Sequence, residues 1–334
     1  MNFNPTGTIV SLPLYRDNVE ALGPYVVKDE SCFRCGISCH KNVYDEVIEE
    51  KNGKLKSKPD KYRAKLDFEP LNLLSSNIGI FDIDQACILV ELVDEMGMDS
   101  ISIGTTLSYA MEYNRRHPDN KVADGMSYGD FQATHDVIEK IGTGQMELLG
   151  QGVMRMSNEL GDTGYAMHSK GMEYPAYLPQ TNPGYPWALA GGHMSMRTYL
   201  LLLYERETNI DYWVEAITKR GLAILRDDFT GVCKFAALQD DQMAEAIRVL
   251  SGLDVTAETL QQIIRRTFLR GYRLEKLQGF TDADYVMPAE AHEEYPQIEL
   301  PYFNTREFFE ELKPRVMARF DEMLKEEGLA AIPS

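Results

Sequence analysis

The chain has 334 residues, 44% of them hydrophobic and 26% charged, which is enough for a large core and more than one simple core usually needs. Its formal net charge of −18 argues against nucleic acid as a partner, because phosphates require a basic surface. The start lacks a basic stretch followed by an apolar one, and no apolar run reaches membrane-spanning length, so we expect a cytoplasmic protein without a leader or a membrane span.

The sequence pattern predicts a mainly α-helical protein with few strands. Residues 1–31 look irregular, and the polar stretch 49–65 is typical of a surface loop. From Asp82 onward, apolar residues recur at steps of three and four; Asp82 or Asp84 can cap this helix, and Gly97 can end it. Similar periods predict further helices near 102–115, 128–140, 143–159, 193–207, 211–226, 240–251, 256–272 and 306–327.

One long segment, 161–190, has no helical period and is rich in Gly, Pro and Tyr. A connection of this length in a helical protein is usually functional or disordered, and its aromatic residues argue against disorder. We place an approximate domain boundary at its end. This gives one helical domain at 1–190 and a second at 191–334.

Three of the five cysteines stand close together in the pattern Cys-x-x-Cys-x-x-x-Cys: Cys32, Cys35 and Cys39. In a reducing compartment such clustered thiols indicate a metal rather than disulfides. Both an iron–sulfur cluster and zinc fit, although no second Cys-x-x-Cys follows and the only adjacent histidine is His40. A remote cysteine can complete a four-iron cluster, and Cys233 is the candidate. Cys87 lies on the apolar face of its helix, so we expect a buried core thiol there.

Two short stretches, 94–99 and 228–233, share the form Asp-x-x-Gly-x-(Asp or Cys). Each follows a helical segment, and each glycine can adopt the positive φ that ends a helix. Such a turn sets a carboxylate beside backbone N–H groups, and this combination can accept an amino-pyrimidine ring. A single copy would indicate only a helix end with a solvated aspartate. The repetition favours a binding function.

Five longer stretches carry a family resemblance: CFRCGISC, DEMGMDSISIGTTLSYAMEY, KGMEYPAY, RDDFTGVCKFAAL and LRGYRLEKLQGF. In this order, over roughly residues 25–290, the sequence resembles the C-terminal two domains of the tungsten aldehyde:ferredoxin oxidoreductase family. The resemblance implies a mainly α fold of two helical domains. It also implies a [4Fe–4S] cluster and a tungsten (or molybdenum) bis-pterin, with magnesium as an optional further ion.

The resemblance assigns a role to particular residues of this chain. The cluster ligands would be Cys32, Cys35, Cys39 and Cys233. The first pterin would be bound by Asp94, Gly97 and Asp99, and the second by Asp228, Gly231 and Val232. Glu69, in DFEPLNLL, matches the active-site glutamate of the family, although without the family it would be interpreted as one of many surface acids. His193 is a candidate catalytic residue, and His168, Lys170 and Glu173 are candidates for lining the site.

Several features depart from the family pattern. The β-rich domain that lies beneath the pterins in the family has no counterpart here, since only 31 residues precede Cys32. His40 follows the third cysteine, and the stretch 49–65 lengthens the path to Glu69. In GGHMSMR, 191–197, the position of the family histidine falls on Ser195, and the histidine stands at 193 instead. We therefore expect a separate β-rich pterin-binding subunit as a partner.

The function implied is the interconversion of an aldehyde and a carboxylic acid, with single electrons passing through the cluster to ferredoxin or an iron–sulfur subunit. Reduction of a thioester, as in the benzoyl-CoA reductase branch, is an alternative for the small carbonyl substrate. A non-catalytic iron–sulfur relay and a zinc-stabilised helical scaffold are further alternatives. The presence of both Asp-x-x-Gly turns argues against the relay, because a relay requires neither turn.

Overall fold

The structure, a computed structural model, describes residues 26–37, 39–44, 50–51, 54–55, 62–176, 179–189, 207–233, 236, 238–294 and 303–329. The chain divides into two compact units between residues 177 and 178. Helices dominate both units, which confirms the mainly α prediction. The functional domain boundary that we placed at 190 stays a prediction.

The first unit begins with a small antiparallel sheet. Its strands are β1 (Val26–Glu30), β2 (His40–Tyr44) and β5 (Tyr62–Lys65), in the order β1-β2-β5, with a two-residue hairpin of β3 (Glu50–Lys51) and β4 (Lys54–Leu55) between β2 and β5 along the chain. Glu30 pairs with His40, so the cysteine stretch is the connection between β1 and β2.

This sheet corrects two sequence predictions. Part of the irregular stretch 1–31 is strand β1, and the end of the predicted loop 49–65 is strand β5. Only alternate residues of such strands face the core: Val43 and Ala64 are almost fully buried, whereas their neighbours are polar. A period-two pattern this short is easily mistaken for a polar loop.

The helices of the first unit follow the sheet. They are α1 (Phe68–Leu73), α2 (Ile83–Glu95), α3 (Ser100–Arg116), α4 (Phe131–Gly142), α5 (Glu147–Gly150) and α6 (Val153–Leu160). The cap of α2 is Asp82, whose carboxylate accepts the Gln85 N–H at 3.0 Å. At Gly104, an added Cβ would lie 2.6 Å from the Leu73 Cβ, so a glycine is needed for the close approach of α3 to α1.

Between residues 143 and 160 the structure differs from the single predicted helix. Two helices, α5 and α6, are separated by Gly152, whose φ of +82° no helix allows. After α6, the segment 161–176 contains a tight hairpin of β6 (His168–Ser169) and β7 (Met172–Glu173). Lys170 and Gly171 form its turn with φ values of +51° and +88°.

The second unit contains α7 (Ile210–Glu215), α8 (Gly221–Thr230), α9 (Asp240–Ser251), α10 (Ala257–Leu277) and α11 (Arg306–Glu326). A π-helical turn, Ala216–Arg220, joins α7 to α8 where the sequence predicted one continuous helix. The core of this unit is aromatic and includes the fully buried Trp187, Trp213, Tyr272, Tyr285 and Phe320. The helix predicted at 193–207 lies outside the described residues except at its last position, Glu207, which is not helical.

Within the part of the chain that the structure describes, no single helix is long and apolar enough to cross a membrane. One pair of segments, Phe68–Ile78 and Ile83–Glu95, passes the test of length and composition together but is bent by 120°.

Candidate functional site

The first Asp-x-x-Gly turn follows the end of α2. Gly97 has a φ of +67°, and its N–H donates to the Asp94 carbonyl at 3.1 Å. The N–H of Met98 donates back to the Val93 carbonyl, also at 3.1 Å. This 6→1 hydrogen bond around a left-handed glycine is the Schellman pattern of helix ends. The Asp94 side chain and Gly97 are exposed.

The second turn, after α8, repeats this geometry. Gly231 has a φ of +70° and donates to the Asp228 carbonyl at 3.3 Å, while the Val232 N–H donates to the Asp227 carbonyl at 2.9 Å. Asp228 and Gly231 are exposed, and an added Cβ at either turn glycine would meet nothing within 4 Å. The sequence repeat is therefore also a structural repeat, with a carboxylate beside open backbone in each copy.

The sixth residue differs between the two turns. In the first it is Asp99, which caps α3 by accepting the Ser102 N–H at 2.8 Å, a role that sequence reasoning missed. The signal was present, since an aspartate three residues before a serine at a helix start is a typical N-cap. In the second turn the sixth residue is Cys233, whose side chain is exposed.

A buried ion pair, also missed from the sequence, supports the second turn. Arg226 and Asp227 are 3% and 5% exposed, and Arg226 Nη2 lies 2.6 Å from Asp227 Oδ1. Arg226 also bonds to Asp240, whose other oxygen accepts the Gln261 amide at 2.6 Å. The detectable signal is that Arg226 occupies the position that Leu92 occupies before the first turn, where the helical period demands a buried residue.

The first turn lies in the same electrostatic neighbourhood as the connection from β5 to α1. Burial raises the pKa of Asp94; the nearby Lys65 ammonium opposes this rise and the Asp67 carboxylate adds to it. Lys65 and Asp67 form an ion pair at 2.8 Å. Burial and the charge of Asp94 raise the pKa of Tyr62 to about 12. Two residues after Asp67, in the first turn of α1, stands Glu69.

Glu69 is half-buried rather than on the surface. Its Oε2 accepts the N–H of Ala176 at 2.6 Å, which joins α1 to the segment that follows the β6–β7 hairpin. Burial raises the pKa of Glu69, and the Ala176 hydrogen bond offsets part of that rise. A half-buried carboxyl group with a raised pKa, close to a repeated binding turn, has the character of a proton-transferring residue.

The cysteine connection is folded in a way that suits thiolate ligands. The Cys35 N–H donates to the Cys32 carbonyl at 2.9 Å, and the Ile37 N–H donates to Cys35 Sγ at 3.5 Å. N–H groups directed at sulfur are typical of iron–sulfur sites. Among the described residues no cysteine forms a disulfide, and Cys39 is exposed. Arg34 has a φ of +58°, unusual for a residue with a side chain.

The remaining predicted residues fall in different places. Cys87 is fully buried, as predicted for a core thiol. Burial lowers the pKa of His168 to about 4, so this imidazole is neutral near pH 7. Glu173 is buried inside the first unit. Cys233 belongs to the second unit, and its joining of the other three cysteines stays a prediction. His193 lies outside the described residues.

Comparison with known proteins agrees with this site. The family model for aldehyde ferredoxin oxidoreductase, domains 2 and 3, matches residues 9–326. A tungsten-containing aldehyde ferredoxin oxidoreductase of Pyrococcus furiosus is 27% identical over 323 residues, which cover 90% of this chain and 51% of the relative. The chain therefore spans about half the length of that relative. The enzyme of the same name from Pyrococcus abyssi is 30% identical over 51% of this chain and 28% of its own length.

Two further likenesses concern subunits and complexes. A P. furiosus protein named aliphatic sulfonate oxidoreductase, WOR-like subunit, is 32% identical over 33% of this chain and 19% of its own length. The active site complex BamBC of benzoyl coenzyme A reductase, solved with 1,5-dienoyl-CoA, has a TM-score of 0.59 at 13% identity, covering 90% of this chain and 52% of that chain, which shows a shared fold. From the family match over nearly its whole length, this chain belongs to the aldehyde ferredoxin oxidoreductase family of oxidoreductases and corresponds to its domains 2 and 3.

Proposed function

We propose that this chain provides the pterin-edge and cluster-binding part of an oxidoreductase that interconverts an aldehyde and a carboxylic acid and passes single electrons to ferredoxin. The observation that carries the proposal is the repeated turn. Two helix ends with the same hydrogen bonds, each exposing an aspartate beside an open glycine, provide two equivalent binding sites in one chain. A plain helical scaffold or an electron relay requires neither site.

The residues of the turns fit the edge of a pterin ring. The exposed carboxylates of Asp94 and Asp228 can accept ring N–H groups, and the missing Cβ of Gly97 and Gly231 lets a flat ring approach the backbone. In the second turn, Val232 stands next to the approach. When bound, the metal bis-pterin would supply the redox centre that takes up electrons from the carbonyl group, with a magnesium ion as an optional further part.

The cysteine connection fits a four-iron cluster. Cys32, Cys35 and Cys39 would provide three thiolates from one folded loop, with an N–H group already directed at Cys35 Sγ. Cys233 would provide the fourth, directly after the second turn. This order places the last ligand next to a pterin-binding glycine, so that electrons leaving the redox centre would have a short path to the cluster.

Glu69 would handle protons. Oxidation of an aldehyde with water to a carboxylic acid releases two electrons and two protons, so a nearby base is needed. Because burial raises its pKa, Glu69 can accept a proton and return it at a higher pH than an ordinary glutamate. Its hydrogen bond to the Ala176 N–H fixes one oxygen and leaves the other for water or substrate. The catalytic role of His193 is proposed from the sequence alone.

We further propose that a separate β-rich subunit completes the pterin site and that the complex works in the cytoplasm. The support is that the chain spans about half of its P. furiosus relative and that another relative is itself named as a subunit. The partner would cover the exposed turn residues and the opposite faces of the pterins. Reduction of a thioester remains the second candidate, favoured by the shared fold with the benzoyl coenzyme A reductase complex.

The test is anaerobic co-expression of the chain with the candidate partner, followed by metal analysis, pterin extraction and an assay of aldehyde oxidation with a viologen dye. We expect tungsten or molybdenum together with about four irons per chain. Asp94→Asn and Asp228→Asn should each reduce the bound pterin, because an amide nitrogen turned toward a ring N–H cannot accept from it. Asp119→Asn and Asp254→Asn, exposed in the first and second unit, are the controls.

Several outcomes would contradict the proposal. Full pterin content in the combined Asp94→Asn/Asp228→Asn variant would exclude the turns as binding sites. Zinc in place of iron would support a scaffold, and iron without tungsten or molybdenum would support a relay. Inertness toward aldehydes with reduction of an aromatic thioester would favour the second candidate.

A further inference from the structure

Glu173, at the end of β7, is a buried carboxylate with both oxygens engaged. It is 8% exposed. Its Oε2 accepts the Ser102 hydroxyl at 2.9 Å, and its Oε1 accepts the Val153 N–H at 2.9 Å. A carboxylate bonded at both oxygens in this way has one fixed orientation and fixes the elements that donate to it.

The first of these bonds ties β7 to the first Asp-x-x-Gly turn. Ser102 lies in the first turn of α3, and its N–H is the group capped by Asp99. The same residue therefore gives its backbone N–H to Asp99 and its hydroxyl to Glu173. Any movement of the start of α3 is passed directly to β7.

The second bond ties β7 to the start of α6. Val153 is the first residue of that helix, where backbone N–H groups lack helical partners, and the Glu173 carboxylate satisfies one of them. The preceding Gly152 has a φ of +82°, and a Cβ added there would lie 2.8 Å from Glu173 Oε1. The glycine thus leaves room for the carboxylate.

Three residues after Glu173, the chain reaches the candidate active-site acid. The Ala176 N–H donates to Glu69 Oε2 at 2.6 Å. The intervening residue Tyr174 is held to the hairpin as well, since its N–H donates to the Met167 carbonyl at 3.1 Å. The place of the Ala176 amide, and with it the orientation of Glu69, therefore depends on how β7 is anchored.

We propose that Glu173 is a positioning residue for the reaction, which holds the Ala176 amide against Glu69 and fixes that acid relative to the first pterin turn. This inference rests on the proposed function of Glu69 and of the turn. Glu173 acts through Ser102, Val153 and Ala176 and touches neither substrate nor cofactor.

The test is the titration of the Glu69 carboxyl group in the full chain, measured by infrared difference spectra between each protein and the same protein carrying Glu69→Gln. In Glu173→Ala the hydrogen bond from Ala176 should be lost. Since that bond lowers the pKa of Glu69, we expect the titration to move to higher pH. Hydrogen exchange of the Ala176 amide should become roughly tenfold faster or more, as for loss of a hydrogen bond to a charged group.

Two further variants separate positioning from general stability. Glu173→Gln can still accept from Val153 through its amide oxygen and donate to the Ser102 hydroxyl, so it should restore the titration of Glu69 close to that of the unmodified chain. Ser102→Ala removes only one bond and should give an intermediate shift, which provides a readout even where Glu173→Ala folds poorly. Glu159→Ala, exposed on α6, is the control and should change nothing.

The charged and titratable groups around Glu69 are the same in all these variants. They are Lys65 and Asp67 before α1, Asp94 on α2 and the neutral His168 on β6. A lower melting temperature in Glu173→Ala and Ser102→Ala with an unmoved Glu69 titration would overturn the inference and leave Glu173 as a purely structural residue. Full activity in Glu69→Gln would instead overturn the proposed role of Glu69, without affecting the titration measured for the unmodified acid.

Discussion

Before the first Asp-x-x-Gly turn stand Leu92 and Val93, which are 8% and 0% exposed and pack into the apolar core of the first unit. Before the second turn the equivalent residues are Arg226 and Asp227, a buried ion pair. The turns themselves have the same φ at glycine and the same pair of backbone hydrogen bonds. The shape of the binding turn is thus set locally by the glycine and the helix end, whereas the support beneath it differs completely.

This difference has energetic consequences. Apolar support tolerates changes that conserve volume, because nothing is left unsatisfied when one methylene replaces another. A buried ion pair is sensitive to the loss of either partner, since the remaining charge stays in a place that water does not reach. The two turns should therefore respond differently to substitutions below them and alike to substitutions within them.

The largest effect is expected from placing methionine below each turn. Arg226→Met leaves Asp227 and Asp240 without their cation and should cost about 3–5 kcal/mol of unfolding free energy, as for a broken buried ion pair. Leu92→Met conserves volume and should cost less than about 1.5 kcal/mol. Urea unfolding of the full chain measures both. Equal, small losses would show that the ion pair does not support the second turn.

A smaller and equal effect is expected from adding a methyl group to each turn glycine. Gly97→Ala and Gly231→Ala force a residue with a side chain into the left-handed region, which costs about 1–2 kcal/mol, and open space around both positions adds no clash. Gly164→Ala, at an open position without positive φ, is the control and should be nearly neutral. A marked difference between the two turn variants would mean that their backbones are not equivalent.

The sixth residues of the turns should separate stability from metal binding. Asp99→Ala removes the cap of α3 and should cost about 1 kcal/mol, whereas Asp99→Asn keeps a good cap. Cys233→Ala changes an exposed side chain and should stay within about 0.5 kcal/mol in the metal-free chain. The same cysteine variant should lose bound iron, while Cys87→Ala should keep it. Thermal unfolding and iron counting check these four variants; an intact four-iron signal in Cys233→Ala would exclude this cysteine as a ligand.

The smallest effect concerns pH and the acids near the first turn. Burial raises the folded-state pKa of Glu69 and of Asp94, so the folded chain binds their protons more tightly than the unfolded chain. The stabilisation is complete below their ordinary pKa values and is lost as the pH rises through the raised ones. Glu69→Gln should therefore gain melting temperature at pH 7 relative to pH 4. Glu95→Gln, exposed at the end of α2, should show no such dependence.

Sequence patterns predicted the helices and helix ends well, because period and capping are local. Asp82 caps α2 and Gly97 ends it, as expected from the letters alone. The patterns failed where a polar residue is buried: Arg226 and Glu173 have partners that are distant in sequence or belong to a different element. Short strands such as β5 were missed because four residues carry too little periodic signal.

The candidate site was predictable to the extent that it consists of repeated or clustered letters. The cysteine triplet and the two Asp-x-x-Gly turns could be found in this way, and the resemblance identified Glu69. The hydrogen bond from Ala176 to Glu69 spans 107 positions and becomes visible only when the chain is folded. No local pattern encodes such a contact, which is why the environment of the acid had to come from the structure.

The π-helical turn at Ala216–Arg220 makes the second turn sensitive to chain length rather than to chemistry. A π turn contains one residue more than the α turn it replaces. Deleting any one residue there would let α7 and α8 run on as a regular helix and would rotate everything beyond it by about 100° relative to the part before it. Asp228 would then point away from its present direction without being altered itself. The orientation of this half of the binding apparatus thus depends on a single inserted residue, and a one-codon deletion at this point should be more damaging than most substitutions nearby.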